Sequence, residues 1–345
     1  MAKVLIIRLS SLGDVAMTVP VIYSAARSNP EDSFTLVTQA FLIPIFMNRP
    51  SNLEVIGINT KGAEKGLKGL LRFVSALLRY DFDIVLDLQL VLRTAIISSF
   101  FRLKGKRVYT IAKMRKERSR LISQTHKQLV PLRPVLERYA DVFRAAGLKY
   151  VELFTSLFDK QTPLSAALRE ATGEKKGRWI GIAPFARYRE KIYSVDEMEK
   201  VVAALSKLED VTIFLFGGRG YEEAVLEEWA YTYPRVKNVI GRYTLDVELA
   251  LISRLDVFLS MDSANMHFAS MVGTRVVSIW GGTHLYAGYY GFHQDLTDAL
   301  QIDLPCRPCS IVGNKPCWRG DWACLQIPAR QIVDKVLERC SSAKY

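Results

Sequence analysis

Acidic, basic and hydroxyl side chains cluster with glycine at several points where an apolar run ends. The first cluster spans residues 8–14, with the sequence Arg-Leu-Ser-Ser-Leu-Gly-Asp. Gly13 allows a tight turn there, and the carboxylate of Asp14 could act as a general base toward a substrate hydroxyl. A carboxylate at the start of a helix is also stabilised by the helix dipole, so a purely structural role for Asp14 is the alternative.

Two further clusters carry charged side chains that could bind the phosphate or ribose groups of a ligand. Residues 183–191, Ala-Pro-Phe-Ala-Arg-Tyr-Arg-Glu-Lys, place three cations after an apolar run, and Lys191 is suited to bind phosphate. Residues 216–223, Phe-Gly-Gly-Arg-Gly-Tyr-Glu-Glu, are similar to a phosphate-binding glycine turn, but Glu223 stands where the dinucleotide-binding pattern has glycine. A carboxylate there would repel a pyrophosphate, and it would suit ribose hydroxyls instead.

The most specific cluster is residues 260–269, Ser-Met-Asp-Ser-Ala-Asn-Met-His-Phe-Ala. It predicts a strand that ends at Asp262 and a helix that begins at once, and the free N–H groups of a helix start bind anions. The structural alternatives are an N-cap role for Ser263 and a packed helix-face role for His267. Residues 280–283, Trp-Gly-Gly-Thr, form a further glycine turn that lets the backbone approach a ligand.

Alternating strands and helices in both halves of the chain would position these clusters. Apolar runs rich in Val and Ile predict buried parallel strands, at residues 3–9, 34–37, 83–88, 179–183, 211–216, 257–260 and 276–280. Ligands bind beyond the carboxyl ends of such strands, where the clusters lie. The fold class predicted is α/β, with two Rossmann-like parallel sheets. We expect a first domain over 1–160, a linker over 161–177, a second domain over 178–327, and a C-terminal segment over 328–345 whose helix could pack back on the first domain.

Composition places the chain among ordinary globular proteins. Its 345 residues are 49% hydrophobic and 24% charged, which excludes disorder, collagen and coiled coils. It has no apolar run of about 18 residues, the length that a membrane-spanning helix needs. The first residues, Met-Ala-Lys-Val-Leu-Ile-Ile-Arg, predict a strand rather than a signal peptide. We therefore expect no transmembrane segment and a cytoplasmic location.

Positive charge is concentrated in the first half of the chain. Residues 1–160 hold 25 Lys and Arg against 13 Asp and Glu, which accounts for the whole net charge of +12. Such a basic half indicates an anionic partner, namely nucleic acid, an acidic membrane surface or a phosphorylated substrate, and a solvated basic face is the alternative. Nucleic acid is disfavoured, because the basic stretch 102–127 has Tyr109 as its single aromatic residue and contains no known nucleic-acid motif.

Five cysteines lie within the last 40 residues. A structural zinc site is one hypothesis, and its ligands would be Cys306, Cys309, Cys317 and Cys324. Zinc ribbons usually have two Cys-x-x-Cys pairs, however, and only one is present. Free buried thiols and disulfides are the alternatives, and a cytoplasmic chain would keep the thiols reduced.

Taken together, these turns resemble one protein family. Arg-x-Ser-x-x-Gly-Asp over 8–14, Asp-Ser-x-x-x-His over 262–267 and Gly-Gly-Thr over 281–283 are similar to the signature of the ADP-heptose:lipopolysaccharide heptosyltransferases, glycosyltransferase family nine. The resemblance extends from residue 3 to about residue 338. It implies the GT-B fold, in which two Rossmann-like domains face each other across a cleft. In that family the first domain takes the acceptor and the second takes the nucleotide sugar.

The resemblance also implies roles for individual residues. Asp14 matches the catalytic base, Lys191 the lysine that holds the donor diphosphate, and Glu222 an acid that contacts the nucleoside, with Glu223 as the neighbouring alternative. The remaining donor-binding residues implied are Arg187, Asp262, Ser263, Ala264, Asn265, His267 and Thr283. The acceptor-binding residues implied are Ser10, Ser11, Gly13, Gln89 and Arg93. Ala264 stands where the family usually has glycine, and Tyr193 where it has tryptophan, so the donor sugar stays open.

The expected reaction transfers a heptose, with inversion, from ADP-heptose to a lipopolysaccharide core or a related lipid-linked glycan. The basic half would meet this anionic acceptor at the inner membrane surface, so peripheral attachment to the cytoplasmic face is a second option for location. Lys191 and helix N–H groups would stabilise the leaving diphosphate, so neither a metal nor a cofactor is expected. The alternatives are a GT-B enzyme that uses another nucleotide sugar, a GT-B epimerase and, more distantly, a nucleic-acid-binding protein.

Overall fold

The computed structural model describes residues 1–158, Arg169 and 172–341, and the chain divides into two compact units. Unit 1 comprises Met1–Lys113 and Arg133–Leu157, and unit 2 comprises Met114–Leu132 and Phe158–Tyr345. Most of the linker expected over 161–177 lies outside the described residues.

Unit 1 is built on a five-stranded parallel sheet with the strand order β3-β2-β1-β4-β5. The strands are β1 (Lys3–Ile7), β2 (Ser33–Gln39), β3 (Leu53–Ile58), β4 (Ile84–Asp87) and β5 (Arg107–Thr110). The helices up to residue 157 are α1 (Leu12–Ala16), α2 (Thr18–Ser28), α3 (Gly66–Leu77), α4 (Leu92–Leu103), α5 (Arg115–Leu121) and α6 (Val135–Ala145), with 3-10 helices at Ala40–Phe46 and Leu78–Tyr80. All of these except α5 belong to unit 1.

The central strand of unit 1 is buried because it is an unbroken apolar run. Its residues Val4–Ile7 are inaccessible to solvent, as expected for a parallel strand covered on both faces. Helices α3 and α4 pack in the core on one side of the sheet through residues such as Val74 and Phe101. In the register of β1 and β4, Ile7 lies opposite Asp87. The residues that follow these two strands therefore meet at one edge of the sheet.

Unit 2 is built on a six-stranded parallel sheet with the strand order β11-β10-β9-β6-β7-β8. The strands are β6 (Arg178–Ala183), β7 (Val211–Leu215), β8 (Val236–Asn238), β9 (Val257–Met261), β10 (Val276–Trp280) and β11 (Ala299–Gln301). The further helices are α7 (Val195–Ser206), α8 (Tyr221–Thr232), α9 (Leu245–Ile252), α10 (Ala264–Met271) and α11 (Ala329–Ser341), with 3-10 helices at Arg189–Lys191, Leu285–Ala287, Leu296–Asp298 and Ala323–Leu325.

The strands β6, β9 and β10 are neighbours in this sheet, and their carboxyl ends lie at one edge. Ala183 is paired with Ser260, and Met261 with Ile279. The segments that follow these strands include Lys191, Asp262 and Thr283, so the topology brings together three residues that are distant in sequence.

The segment Met114–Leu132 leaves unit 1 and packs within unit 2. Its residues Leu121 and Leu132 are buried in an apolar cluster with Ala287 and Ile311, and the Leu132 amide donates to the Tyr286 carbonyl at 2.8 Å. The structure thus differs from the single boundary expected at residue 160. The physical reason is the apolar surface of Leu121 and Leu132, which is buried against unit 2.

The final helix, α11, is also part of unit 2. Its buried residues Ile332 and Val336 belong to the same core as α7 and β9. The sequence allows this helix to pack back on the first domain, but its buried residues pack on the second sheet. None of the described helices is long and apolar enough to cross a membrane.

Candidate active site

At the carboxyl end of β1, Arg8 and Asp14 form an ion pair. The Nη2 of Arg8 lies 2.9 Å from Oδ1 of Asp14. Asp14 sits in the first turn of α1, where its Oδ2 accepts hydrogen bonds from the Ser11 hydroxyl at 2.6 Å and the Ser11 amide at 3.2 Å. Arg8 itself is buried, its Nη1 donates to the Leu88 carbonyl at 2.6 Å, and its guanidinium lies over the Tyr139 ring. A buried cation therefore holds a more exposed carboxylate in place.

The segment after β4 meets the same turn through Gln89. The side-chain oxygen of Gln89 accepts from the Leu9 amide at 2.8 Å, and its Nε2 donates to the Ser10 hydroxyl at 2.9 Å. Asp87 is fully buried and accepts from the Gln89 amide, which fixes the backbone of this turn. Ser10, Ser11, Gly13 and Gln89 are thus brought together around Asp14, and Arg93 lies half-buried in the first turn of α4.

In unit 2, the central feature is a second ion pair, between Lys191 and Asp262. The Lys191 Nζ lies 2.9 Å from Oδ2 of Asp262, and the hydroxyl of Thr283 donates to the same oxygen at 2.8 Å. The side chain of Asp262 is 7% exposed and that of Lys191 is 13% exposed. A buried carboxylate is therefore satisfied from two neighbouring strand ends, while Lys191 keeps further N–H donors for a ligand.

The helix α10 begins beside this pair. Ser263 is its N-cap residue in extended conformation, with its hydroxyl 3.2 Å from that of Ser260. Ala264 and Asn265 follow in the first turn, whose N–H groups have no partner within the helix, and His267 is buried on the same helix. A positive end of a helix dipole thus lies next to Lys191, and the two together form an anion-binding arrangement.

Glu222 lies in the first turn of α8, and Arg187 lies in the loop after β6. The Oε2 of Glu222 accepts from the Gly218 amide at 2.6 Å, so this carboxylate closes the glycine turn after β7. Glu223 accepts from the Gly220 amide at 3.4 Å. Arg187 is exposed, with its guanidinium over the Tyr188 ring. Glu222 is therefore partly occupied by its own turn, and Arg187 is stacked on the adjacent Tyr188.

The glycine turn at 280–283 is fixed by Arg307, a residue that the sequence did not single out. Arg307 is 1% exposed and donates to the carbonyls of Gly281, Trp280 and Thr283 at 2.6, 3.1 and 2.9 Å. The turn also joins the segment that carries Lys191, because the Gly282 amide donates to the Glu190 carbonyl at 2.9 Å. A Cβ on Gly281 would lie 2.6 Å from that carbonyl oxygen, so only glycine fits there.

Lys127 extends this support from the segment 114–132. Its Nζ donates to the carbonyls of Cys306 and Pro308 at 3.1 and 2.8 Å, and burial lowers the pKa of Lys127. The Cys309 amide in turn donates to the Gly282 carbonyl at 2.9 Å. Lys127 and Arg307 thus hold the loop that supports Thr283. Neither residue lies in a recognisable local motif, so sequence reasoning missed both.

The cysteines named in the zinc hypothesis lie in and after the loop that supports Thr283. All five are free thiols, and among the residues that the structure describes, no three His, Cys, Asp or Glu side chains are arranged to hold a metal ion. Burial raises the pKa of Cys324 to about 11 and also raises that of Cys309. A structural zinc bound by these cysteines stays a prediction.

Two Rossmann-like parallel-sheet units, each with charged residues at the carboxyl edge of its sheet, are the architecture of the GT-B glycosyltransferases. The family model described as "Glycosyltransferase family 9 (heptosyltransferase)" matches residues 70–310. The chain belongs to this family. The predictions of a glycosyltransferase and of its α/β fold class are thereby confirmed.

Curated relatives and solved structures agree with this assignment. The chain is similar to lipopolysaccharide heptosyltransferase 3 of Escherichia coli K12, with 26% identity over 285 residues, covering 79% of this chain and 80% of the relative. It is similar to the lipopolysaccharide core heptosyltransferase OpsX of Haemophilus influenzae, with 24% identity over 301 residues, covering 87% and 82%. The fold matches a family 9 glycosyltransferase from Veillonella parvula with a TM-score of 0.76 at 17% identity, covering 98% of this chain and 97% of that one. It matches E. coli heptosyltransferase WaaC with ADP with a TM-score of 0.67 at 16% identity, covering 98% and 99%.

Proposed function

We propose that this enzyme transfers a heptose from ADP-heptose to a hydroxyl of a lipopolysaccharide core or a related lipid-linked glycan, at the cytoplasmic face of the inner membrane. The support is membership of family 9, together with relatives that are named lipopolysaccharide heptosyltransferases. The observation that carries the proposal is the ion pair between Lys191 and Asp262 at the start of α10.

On the donor side, Lys191 and the first N–H groups of α10 bind the diphosphate of the nucleotide sugar. Asp262 orients the ammonium group of Lys191. The remaining N–H donors of that ammonium group donate hydrogen bonds to the phosphate oxygens. As the bond between the sugar and the diphosphate breaks, negative charge grows on the leaving ADP, and these fixed donors stabilise it. Glu222 accepts hydrogen bonds from ribose hydroxyls. Its Oε2 already accepts from the Gly218 amide, so that hydrogen bond must weaken when the ribose binds there.

On the acceptor side, Asp14 is the general base. It takes the proton of the attacking hydroxyl as the oxygen forms its bond to the anomeric carbon and the bond to ADP breaks. Attack on the face opposite the leaving group inverts the anomeric configuration. Arg8 and Ser11 hold the carboxylate, while Ser10, Gly13, Gln89 and Arg93 line the acceptor side. The positive charge that the reaction requires comes from protein groups in this proposal, with no role for a metal.

A ligand panel and a transfer assay together test this proposal. ADP should raise the melting temperature through binding to the native state, while UDP and GDP should raise it much less. Incubation with ADP-heptose and a phosphorylated, Kdo-bearing glycolipid should give a product heavier by one heptose, measured by mass spectrometry. Selective stabilisation by UDP, or sugar epimerisation without transfer, would instead support another GT-B enzyme.

A further inference from the structure

Helix α3 has two apolar faces, although only one of them packs on the sheet. Leu70, Val74 and Leu77 are buried against the core of unit 1. Leu67 and Leu71 lie one helical turn apart on a second stripe and are 62% and 37% exposed. Exposed leucines on a single stripe are not needed for the fold, since the core face of the helix is already complete.

Cations border this exposed stripe. Lys68 and Arg72, also one turn apart, are exposed on the adjacent face of α3, and Lys61 and Lys65 are exposed in the loop before the helix. Glu64 is the single acidic residue between positions 59 and 80, and its carboxylate accepts from the Asn59 amide at 2.7 Å. The surface is therefore amphipathic and has one dominant sign of charge.

Phe41 is a further exposed apolar residue after a strand end of the same sheet. It follows β2 and is 69% exposed. The loop after β3 is tied to the end of β2, because the Gln39 side chain donates to the Thr60 hydroxyl at 2.7 Å. The 3-10 helix that carries Phe41 packs closely on β3, since a Cβ on Gly57 would lie 2.8 Å from Ala40 Cα.

We propose that the α3 surface, formed by Leu67 and Leu71 with Lys61, Lys65, Lys68 and Arg72, docks unit 1 on an anionic lipid bilayer, and that Phe41, after β2, is a second apolar contact. Apolar side chains of an interfacial helix enter the boundary between headgroups and acyl chains, and basic side chains beside them bind anionic headgroups. A solvated basic face would explain the cations but not the exposed Phe and Leu residues. The inference deepens the proposed function, because docking here would bring the carboxyl edge of the first sheet, and with it Asp14, to the membrane that holds a lipid-linked acceptor.

Vesicle flotation without donor or acceptor tests the docking alone. The protein should float with vesicles of 70% phosphatidylcholine and 30% phosphatidylglycerol. The double variant Leu67→Ser/Leu71→Ser should lower the partition coefficient roughly tenfold, with an unchanged melting temperature. The matched control is Leu103→Ser, because Leu103 is an exposed leucine between Arg102 and Lys104 at the far end of α4. It should float like the parent.

The salt dependence of flotation distinguishes the contribution of the basic residues from that of the leucines. Replacing Lys61, Lys65, Lys68 and Arg72 by Gln should weaken flotation at low salt and have little effect at 1 M salt, where exposed charges are screened within about 3 Å. The loss caused by the leucine variant should persist at 1 M salt. Equal flotation of parent and leucine variant, or a parent that binds an acidic protein and no vesicles, would overturn the proposal.

Turnover separates a failure of docking from a failure of the proposed function. The leucine variant should keep parental turnover on a delipidated, water-soluble acceptor and lose it on an acceptor embedded in anionic vesicles. Equal loss on both acceptors would overturn the docking role. A parent that floats through these leucines and transfers no heptose to either acceptor would retain the docking surface and refute the proposed function.

Discussion

Each unit of the molecule has an ion pair between candidate site residues at the carboxyl edge of its sheet, and the two pairs have opposite polarity. Both have a separation of 2.9 Å, between Arg8 and Asp14 in unit 1 and between Lys191 and Asp262 in unit 2. In the first pair the cation is the more buried partner, with 9% exposure against 23% for Asp14. In the second the carboxylate is the more buried, with 7% against 13%. The more exposed partner is thus the carboxylate in the first unit and the cation in the second.

The supports of the two pairs differ as well. Asp14 is held by Ser11, three residues away, and its turn is completed by Gln89 on the neighbouring strand end. Asp262 is held by Thr283, whose turn depends on Arg307 and, through the loop at 306–310, on Lys127. The donor-side pair therefore depends on residues from several distant segments. We expect substitutions close to Asp14 to affect proton transfer in unit 1. In unit 2, we expect that substitutions far from Asp262 in the sequence also affect nucleotide binding.

The largest effect is expected from Asp14→Asn. The amide keeps an oxygen for the hydrogen bonds of Ser11 but cannot take a proton, so turnover should fall ~10²–10⁴-fold. ADP affinity, measured by calorimetry, should be almost unchanged because the nucleotide is assigned to unit 2. Parental turnover in this variant would show that Asp14 only stabilises the start of α1, and the proposed division of labour would fail.

The next effect is expected from Lys191→Met, which removes the cation that unit 2 presents. A charge-assisted hydrogen bond contributes ~1.5–3 kcal/mol, so ADP affinity should fall roughly 10- to 150-fold. The buried Asp262 would also lose its cation and repel the diphosphate. Lys175→Met is the matched control, because Lys175 pairs with Asp256 at 2.7 Å in the same unit and lies outside the proposed site. Unchanged ADP affinity in Lys191→Met would move the phosphate site elsewhere, for example to Arg187 or Arg189.

A titratable group beside the donor-side turn makes a pH test possible. His284 is buried next to Thr283, and its Nδ1 accepts from the Tyr286 amide at 3.0 Å. Burial, and next the charge of Arg307, lower the pKa of His284 from 6.5 to about 4. The unfolded chain therefore binds this proton more readily than the native state does. The stability that neutral His284 contributes is fully present above pH 6.5 and is lost as the pH falls through about 4.

Replacing His284 by Asn tests this linkage. The amide oxygen can accept the same hydrogen bond and does not titrate. Between pH 7 and pH 4, the free energy of unfolding of the parent should fall by about 1–3 kcal/mol more than that of His284→Asn. Urea unfolding at a series of pH values measures the difference. Parallel curves for the two proteins would show that protonation of His284 is not coupled to folding.

The positions of the proposed ligand-binding residues could be anticipated from sequence because their signals are local. A buried apolar run followed by glycine and a charged residue predicts a strand end, and the structure places Asp14, Asp262 and Thr283 at such ends. The supports have no local signal. Arg307 bonds to carbonyls of residues 24 to 27 positions earlier, and the partners of Lys127 lie 179 and 181 positions later.

The same reasoning explains the elements that the sequence did not predict. Strand β3 is only partly buried and β5 is largely polar, so neither has the dense apolar pattern of a central strand. The transfer of Met114–Leu132 to unit 2 could not be predicted either, because Leu121 and Leu132 are ordinary apolar residues until their partner Ile311 is known. Contacts between segments that are distant in sequence, rather than local propensity, determine these two strands and the position of Met114–Leu132.

The smallest effect is expected from Lys127→Met. This variant tests whether the hydrogen bonds from Lys127 to the loop at 306–310 affect the ion pair of Lys191 and Asp262. The variant keeps most of the apolar stem and loses the two hydrogen bonds to the Cys306 and Pro308 carbonyls. Each such bond contributes ~0.5–1.5 kcal/mol. If part of this reaches the turn that carries Thr283, ADP affinity should fall roughly three- to tenfold, while the acceptor KM on a soluble acceptor stays unchanged.

Lys175→Met is again the matched control, because Lys175 also makes two hydrogen bonds from its Nζ, to the Arg254 carbonyl and to Asp256. It should lower the melting temperature by a similar amount and leave ADP affinity unchanged. If both variants lose stability and neither loses ADP affinity, the loop at 306–310 supports the fold but not the nucleotide site. The donor-side pair would then be as local in its support as the pair of Arg8 and Asp14, and the contrast between the two units would reduce to their opposite polarity.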